Sequence, residues 1–554
     1  MNQSNSAIEE ARQTRPPGKP LLAGWRRDAV VSLSLANVCF IRVWGQVLSY
    51  REPAEWQKTI PTPVDDAAVM SAVLLLAALL YGAIRLARRR LGERGLRVAR
   101  FALFSLVVIP VNGQRETVKT LWLSLKPVAP GSIGPRAGLF LAALACAAAL
   151  WLVWKHQRRI ARAVSMALVA LSPFCLLTFG EAAWAMATFP GQPYRDGPLA
   201  PRLATAPPPA RVVWIVFDEW DYRLSFVDRP ASLAMPEIDR LRGESLFAAS
   251  ARSPFMDTFR SLPSLIAGRR VEPAGDDSGG GVRVRPVDDP KAKYVPWRET
   301  ASVFSVARKA GFNVGLAGWY LPYCRALNGD LSECAWWPPP DQSNSVDYSL
   351  AARILGTGFL GKTGGYSLSL LETSGWRFPF GQGAPVRHKV RIYRDFLAES
   401  RKDVADPSLG LVFLHVPVPH APHPYSRFTG RMDLANRPIS GYIDSLALMD
   451  RMMGELRAAM ESRGAWDHTV LLISADHPFR ASQELDGKFD PRVPFLLRFP
   501  GRRTAAVIAP EFNTILSANL VYAILRGSVS SVAEASDWIG RRQADRESPV
   551  GSGD

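Results

Sequence analysis

Cysteine is scarce in this chain, with five in 554 residues. Cys39, Cys146 and Cys175 lie in apolar segments and read as small core side chains. Cys324 and Cys334 lie in the polar half and enclose the loop Arg325–Glu333. If that half is outside the cytoplasm, a disulfide is the expected state, with two neighbouring free thiols as the alternative. Also missing is any stripe of Arg and Lys interleaved with aromatics. The net charge of +17 therefore does not argue for nucleic acid. Much of that charge flanks apolar segments, where orientation signals belong. No small-residue cleavage site follows the first apolar segment, so it is not read as a removable signal peptide. A mean hydropathy near zero is high for a soluble enzyme and low for a pure membrane protein. The chain is also too long for one core.

The apolar residues gather in the first third. Ala29–Tyr50, Ala67–Ala87, Phe101–Val111, Gly138–Trp154 and Ala163–Phe189 are apolar segments, the third short and broken by Pro110. About 20 apolar residues span a bilayer. Arg/Lys clusters mark the N-terminus, Arg88–Arg100 and Lys155–Arg162, whereas the loops at Pro61–Asp66 and Val128–Gly134 lack them. The alternation predicts five crossings, with the N-terminus in the cytoplasm and everything after Phe189 outside. Arg42 and Glu181 are charges within these segments, either functional or snorkelling to the interface. The domain plan is a helical membrane bundle over 1–190, a Pro-rich semi-rigid linker over 191–210, a second, more polar domain over 211–540 and a disordered tail over 541–554.

From Val212 onward, short apolar runs alternate with helical stretches. This predicts an α/β domain with a mostly parallel sheet. The clearest strands are Val212–Phe217, Asn313–Ala317, Gly410–Leu414 and Val470–Ser474. The clearest helices are Pro236–Gly243, Ser302–Ala310, Lys389–Glu399, Ile443–Arg463 and Asn513–Trp538, and Asp276–Gly281 reads as a flexible excursion. Two strands end on ligand-type residues, the first on Asp218-Glu219 and the other on Asp476-His477. Between them, Thr258 opens a helix-like run. Carboxylates, an imidazole and a hydroxyl can together hold a divalent cation and place an alkoxide on it. Metal ligation fits Asp476-His477 better than core packing, since a buried charge needs a partner.

The order of these motifs is more specific than any one of them. The first acidic strand is followed by Met235-Pro-Glu-Ile-Asp-Arg-Leu, then by Thr258 leading into Ser261-Leu-Pro-Ser-Leu-Ile-Ala-Gly. Next come Val418-Pro-His420-Ala-Pro422, Gly441-Tyr-Ile-Asp-Ser-Leu-Ala-Leu-Met-Asp450, Ser-Ala-Asp476-His477 and Arg492-Val-Pro-Phe-Leu-Leu. From about Arg211 to Gly501 the chain resembles the sulfatase-like branch of the alkaline phosphatase superfamily. With its apolar N-terminal third it is similar to bacterial lipid A phosphoethanolamine transferases and lipoteichoic acid synthases. That resemblance implies an alkaline-phosphatase-like domain, a nucleophile at Thr258 and a substrate-contacting histidine at His420. It implies metal ligands at Asp218 or Glu219, Thr258, Asp476 and His477. His423, Lys488 and Arg492 are candidates for binding anionic oxygen, and a solvated surface charge is the plain alternative for the two basic residues. His415 is either buried and satisfied or in the site. His388 and His468 read as structural or surface residues. Zinc is the expected ion, with manganese, magnesium or calcium as alternatives. The implied partners are membrane lipid and an anionic phospholipid or envelope glycan or lipid substrate. The implied location is the bacterial inner membrane with the catalytic domain on the periplasmic side.

Departures from the family pattern bear on activity. Pro478-Phe479 follows Asp476-His477 where the family has Gly. No histidine lies among Arg480–Arg492 to match the transferases' downstream histidine. The sulfatase signature requires Cys or Ser followed by Pro and Arg, and Thr258-Phe259-Arg260 does not supply it. Three functions stay open: transfer of a phosphoethanolamine or phosphoglycerol group to an envelope acceptor, hydrolysis of phosphate or sulfate esters, and a non-catalytic envelope protein retaining the fold.

Overall fold

The computed structural model describes residues 24–49, 63–99, 135–188, 196–204, 210–275, 281–338, 383–433, 437, 439–501 and 504–542. They fall into two compact units, one helical and N-terminal, the other holding the α/β domain. The expected segment Phe101–Val111, the loop at Val128–Gly134, the excursion up to residue 280 and the side chains of Arg42 and Cys146 lie outside the described residues.

The helical unit contains helices Gly24–Cys39, Ile41–Ser49, Pro63–Arg90, Pro135–Ala170 and Ser172–Ala187. Pro63–Arg90 and Trp151–Ala187 are long and apolar enough to cross a membrane. The core packs Leu35, Phe40, Trp44, Val73 and Leu168. It also encloses polar groups: the fully buried Asn37 accepts hydrogen bonds from Trp44 Nε1 (2.8 Å) and Thr178 Oγ1 (3.1 Å). Large apolar side chains face outward, with Leu176, Leu177 and Trp184 exposed by 77%, 67% and 71%. These outward side chains give the helical unit an apolar outer surface. Glu181 is exposed on its helix. Two expectations change. The first segment is two helices that part at Phe40. Lys155–Arg162, expected as a loop between two crossings, is one stretch of the continuous helix Pro135–Ala170. Arg, Lys and Ala favour helix, and nothing in that stretch breaks it.

The α/β unit is built on an eight-stranded sheet. Its strands are β1 (Arg211–Asp218), β2 (Leu246–Ala248), β3 (Asn313–Trp319), β4 (Glu333–Trp337), β5 (Leu409–Pro419), β6 (Thr469–Ala475), β7 (Phe495–Arg498) and β8 (Ala506–Ile508), in spatial order β8-β2-β7-β6-β1-β5-β3-β4. The five strands from β6 to β4 run parallel, and β7 is antiparallel to both neighbours. All eight residues of β1 are buried. That fits a central strand covered on both faces, and explains its unbroken run of Val, Trp, Ile and Phe. Phe217 pairs with Ala475, so β1 and β6 end level and present Asp218 and Asp476 side by side. Trp214 packs edge-on against Phe413, its register partner on the neighbouring strand β5 (5.1 Å), on one face of the sheet.

The long amphipathic helix runs Gly441–Glu461, with Leu446, Met449, Met453 and Leu456 buried as core. The helix expected over Lys389–Glu399 extends over Gly383–Ala405. The single helix expected over Asn513–Trp538 is instead two, Ser517–Leu525 and Val532–Arg542, interrupted where Gly527 adopts φ +75°. The second reaches Arg542, past the expected start of the tail at 541. Within the expected linker, residues 200–203 are bound to the domain: Ala200 N–H donates to Leu331 O (2.8 Å) and Leu203 N–H to Asn313 Oδ1 (2.8 Å). They are no free spacer there. Cys324 and Cys334 form a disulfide, and Cys39 and Cys175 are buried free thiols.

Candidate active site

Asp218, Asp476 and His477 meet at the carboxyl ends of β1 and β6, each fully buried. One ligand atom from each lies within 4.8 Å of the others. Thr258 joins them: its Oγ1 is 3.2 Å from His477 Nε2 and 3.5 Å from Asp218 Oδ1. The threonine is the first residue of helix Thr258–Ala267. Asp257 caps this helix by accepting from Arg260 N–H (3.0 Å), and Gly268 ends it in the left-handed conformation. The cap fixes where the helix begins and so where the hydroxyl points. The positive end of the helix faces any anion bound at that hydroxyl.

The backbone after β1 is strained. Glu219 has φ +63°, a conformation that costs a side-chain-bearing residue free energy. Three contacts hold it there. Glu219 N–H donates to Asp476 Oδ1 (3.1 Å), its carbonyl accepts from Tyr442 OH (2.6 Å), and Tyr442 OH accepts from Asp221 N–H (2.9 Å). The Tyr442 ring in turn stacks flat on Phe479, with centroids 3.7 Å apart. Pro478-Phe479, the departure seen in the sequence, therefore has a structural place. Pro478 O accepts from His477 Nδ1–H (2.9 Å). A carbonyl only accepts, so Nδ1 carries the proton and Nε2 presents its lone pair to the centre.

These residues fit a divalent cation. Asp218 Oδ2 and Asp476 Oδ2 are buried with no hydrogen-bond partner. Burial raises the pKa of both carboxyls, that of Asp218 well above its ordinary value, with Asp476 and Glu219 adding repulsion. Two buried carboxylates side by side need a positive charge between them, and two oxygens, an imidazole nitrogen and a hydroxyl suit a small divalent ion. Glu219, expected as an alternative ligand, is not in the trio: its carboxylate receives Arg480 (3.2 Å). The left-handed turn at Glu219 swings its side chain off the strand axis.

The remaining expected residues divide. His420 is near the site, its ring edge-on to Trp319 (5.0 Å). Its Nδ1–H donates to Ala421 O (2.7 Å), which leaves Nε2 as an acceptor. Burial, and then the charge of Lys389, lower its pKa and keep it neutral. His423 is buried with Nδ1 on Ser445 Oγ (2.9 Å) and anchors the loop to helix Gly441–Glu461. His415 is buried on β5, with Nδ1 2.9 Å from both Tyr323 OH and Trp319 O. Lys488 does not reach the trio: it is exposed and pairs with Asp228 (3.1 Å). Arg492 pairs with Asp490 (2.6 Å) and lies over the Tyr222 ring. Both basic residues follow the strand in sequence but are claimed by nearer carboxylates.

One residue escaped the sequence reading. Lys389 is 1% exposed, donates to Pro417 O at the end of β5, and sits 4.2 Å from the Trp319 ring centroid. Burial lowers its pKa to about 7, against the opposing pull of Asp218 and Glu219. A signal was available: Val386, Lys389, Tyr393 and Phe396 fall on one helical face, and all are buried. A lysine in a core stripe is rarely packing alone.

The sulfatase family model matches residues 210–526. The chain belongs to the sulfatase family, whose members act on sulfate or phosphate esters and depend on divalent metal. Similar solved structures include the PsFucS1 sulfatase from Pseudoalteromonas sp. (16% identity, TM-score 0.41, covering 62% of this chain and 73% of that one). The phosphonate monoester hydrolase of Agrobacterium radiobacter matches at 13% identity and TM-score 0.36 (57% and 74%). An alkaline phosphatase superfamily protein from Vibrio parahaemolyticus matches at 11% identity and TM-score 0.35 (59% and 68%). No curated protein matches the chain.

Proposed function

We propose that the protein is a membrane-anchored phosphotransferase. It moves a phosphoethanolamine- or phosphoglycerol-type group from a lipid donor to a cell-envelope acceptor through Thr258. The observation that carries this reading is the hydroxyl of Thr258, at the start of a capped helix and within 3.5 Å of both His477 Nε2 and Asp218 Oδ1. When bound, a divalent ion supplies a lowered pKa for that hydroxyl and positive charge opposite the phosphoryl oxygens. Asp218, Asp476, His477 and Thr258 would hold it, and zinc suits this donor set.

In the first half-reaction Thr258 Oγ bonds to phosphorus. The bond from phosphorus to the lipid oxygen breaks, and the lipid leaves as an alcohol with one proton. In the second, an acceptor hydroxyl attacks phosphorus, its proton passes to a base, and the Thr258–phosphorus bond breaks. Neutral His420, with Nε2 free to accept, suits that base. Lys389 lends a positive charge near the transferred group.

The outward leucines of the helical unit and its two long apolar helices support an anchor. We place the protein as a multi-pass protein of the bacterial inner membrane with the catalytic domain on the periplasmic side. The continuous helix Pro135–Ala170 replaces the reversal expected near 155–162, so reporter fusions before Pro135 and after Phe189 should report opposite sides of the membrane, and the same side would restore the five crossings. Ester hydrolysis without an acceptor is the second reading, favoured by the family match. Purified protein incubated with labelled phospholipid separates the two. Transfer gives an acceptor-dependent product and a labelled Thr258. Equal turnover in water without acceptor refutes transfer.

A further inference from the structure

The basic clusters that flank the apolar segments converge in three dimensions. Arg88 at the end of helix Pro63–Arg90 pairs with Asp28 at the start of Gly24–Cys39 (2.7 Å). Arg158 of helix Pro135–Ala170 pairs with Glu93 (2.7 Å). A cavity of about 590 Å³ opens between these helices, and Arg27, Arg88, Arg158 and Arg162 line it. Of the four, only Arg88 and Arg158 have a carboxylate partner among the described residues. The rest of the lining is largely apolar and includes Val31, Leu35, Ile84 and Leu168. Helix geometry sets their depth. Val31 and Leu35 follow Arg27 by one and two turns, and Leu168 lies about 9 Å along its helix from Arg162. Charge therefore gathers at one end of the cleft and apolar surface extends away from it.

A free anion would use the charged end only, and an apolar ligand the deeper part only. A molecule with a phosphate at one end and an acyl chain at the other uses both. The arginines belong to the clusters that the positive-inside rule assigns to the cytoplasm. We infer that this cleft binds one anionic phospholipid of the cytoplasmic leaflet, with its phosphate between Arg27 and Arg162 and an acyl chain along Val31, Leu35 and Leu168. The inference rests on the membrane reading above. It is separate from the lipid substrate, whose site is the one around Thr258.

The test uses the full-length protein purified in detergent and reconstituted in phosphatidylcholine nanodiscs containing a minority of phosphatidylglycerol. Native mass spectrometry then counts retained lipid. One phosphatidylglycerol is expected to stay bound in preference to phosphatidylcholine. The Arg27→Gln/Arg162→Gln double variant is expected to lose that preference by about thirtyfold, the effect of two arginine charges at an anionic surface. Arg27→Lys/Arg162→Lys should keep most of it. Ile84→Trp, at a half-buried position of the lining outside the packed core, narrows the apolar part and keeps every charge, and should expel the lipid from a folded protein. Equal retention of both lipids, equal retention by the glutamine variant, or displacement of the lipid by inorganic phosphate alone overturns the inference. In those cases the protein still inserts in the nanodisc and the membrane reading stands. A chain that stays in solution without detergent and does not insert overturns both.

Discussion

Tyr442→Phe isolates how the second layer controls the site. The substitution removes one oxygen and keeps the ring, so the stack on Phe479 survives. The lost oxygen serves Glu219 O at 2.6 Å and Asp221 N at 2.9 Å, both buried. Each orphaned backbone group costs about 1–3 kcal/mol, so the domain should lose roughly 2–6 kcal/mol. Part of that loss should appear at the centre. Without the clamp, Glu219 relaxes from φ +63° and withdraws its N–H from Asp476 Oδ1. Loss of such an outer contact weakens metal affinity by about 10–100-fold. Urea unfolding of the metal-free protein and calorimetric metal titration measure the two effects separately. If Tyr442→Phe leaves metal affinity unchanged while stability falls, the clamp is ordinary packing and the reasoning is refuted.

Other predictions follow from the same geometry. Asp476→Asn should abolish stoichiometric metal binding measured by plasma emission, whereas Glu219→Gln should leave one ion bound. Lys389→Met should lower kcat by at least tenfold with metal content intact, and Lys389→Arg should restore part of the loss, since an electrostatic contribution follows charge rather than shape. Asp403 is 1% exposed, and neither carboxylate oxygen has a hydrogen-bond partner. Burial, then Glu399, raises its pKa from 3.8 to about 7. A raised carboxyl favours the fold while protonated, so this stability is present at low pH and is lost as pH rises through about 7. Asp403→Asn should flatten the stability profile between pH 4 and 7 and raise stability at pH 8, by about 4 kcal/mol at most.

Much of the sheet was legible because buried parallel strands leave unbroken apolar runs. Val212–Phe217 and Val470–Ser474 each fell inside an observed strand, and the residues that end them, Asp218 and Asp476-His477, lie together. What sequence order did not encode was the side-chain direction set by contacts distant in the chain. Glu219 follows Asp218 directly, yet a left-handed turn held by Tyr442 sends its carboxylate to Arg480. Lys488 and Arg492 follow the metal motif but are neutralised by Asp228 and Asp490. Lys389 lies far from every motif in sequence and enters through helix packing against β5. The helix at Lys155–Arg162 was hidden by its charge, which signals orientation but does not break a helix.

The claim on which everything turns is that Thr258 is the group that carries the transferred phosphoryl. Tandem mass spectrometry of the metal-loaded protein after exposure to labelled phospholipid tests it most directly. The account predicts a phosphoryl-linked headgroup on Thr258 that vanishes in folded, metal-binding Thr258→Ala together with product formation. An unmodified Thr258 in a protein that binds metal and still turns over lipid, with Thr258→Ala equally active, would contradict it.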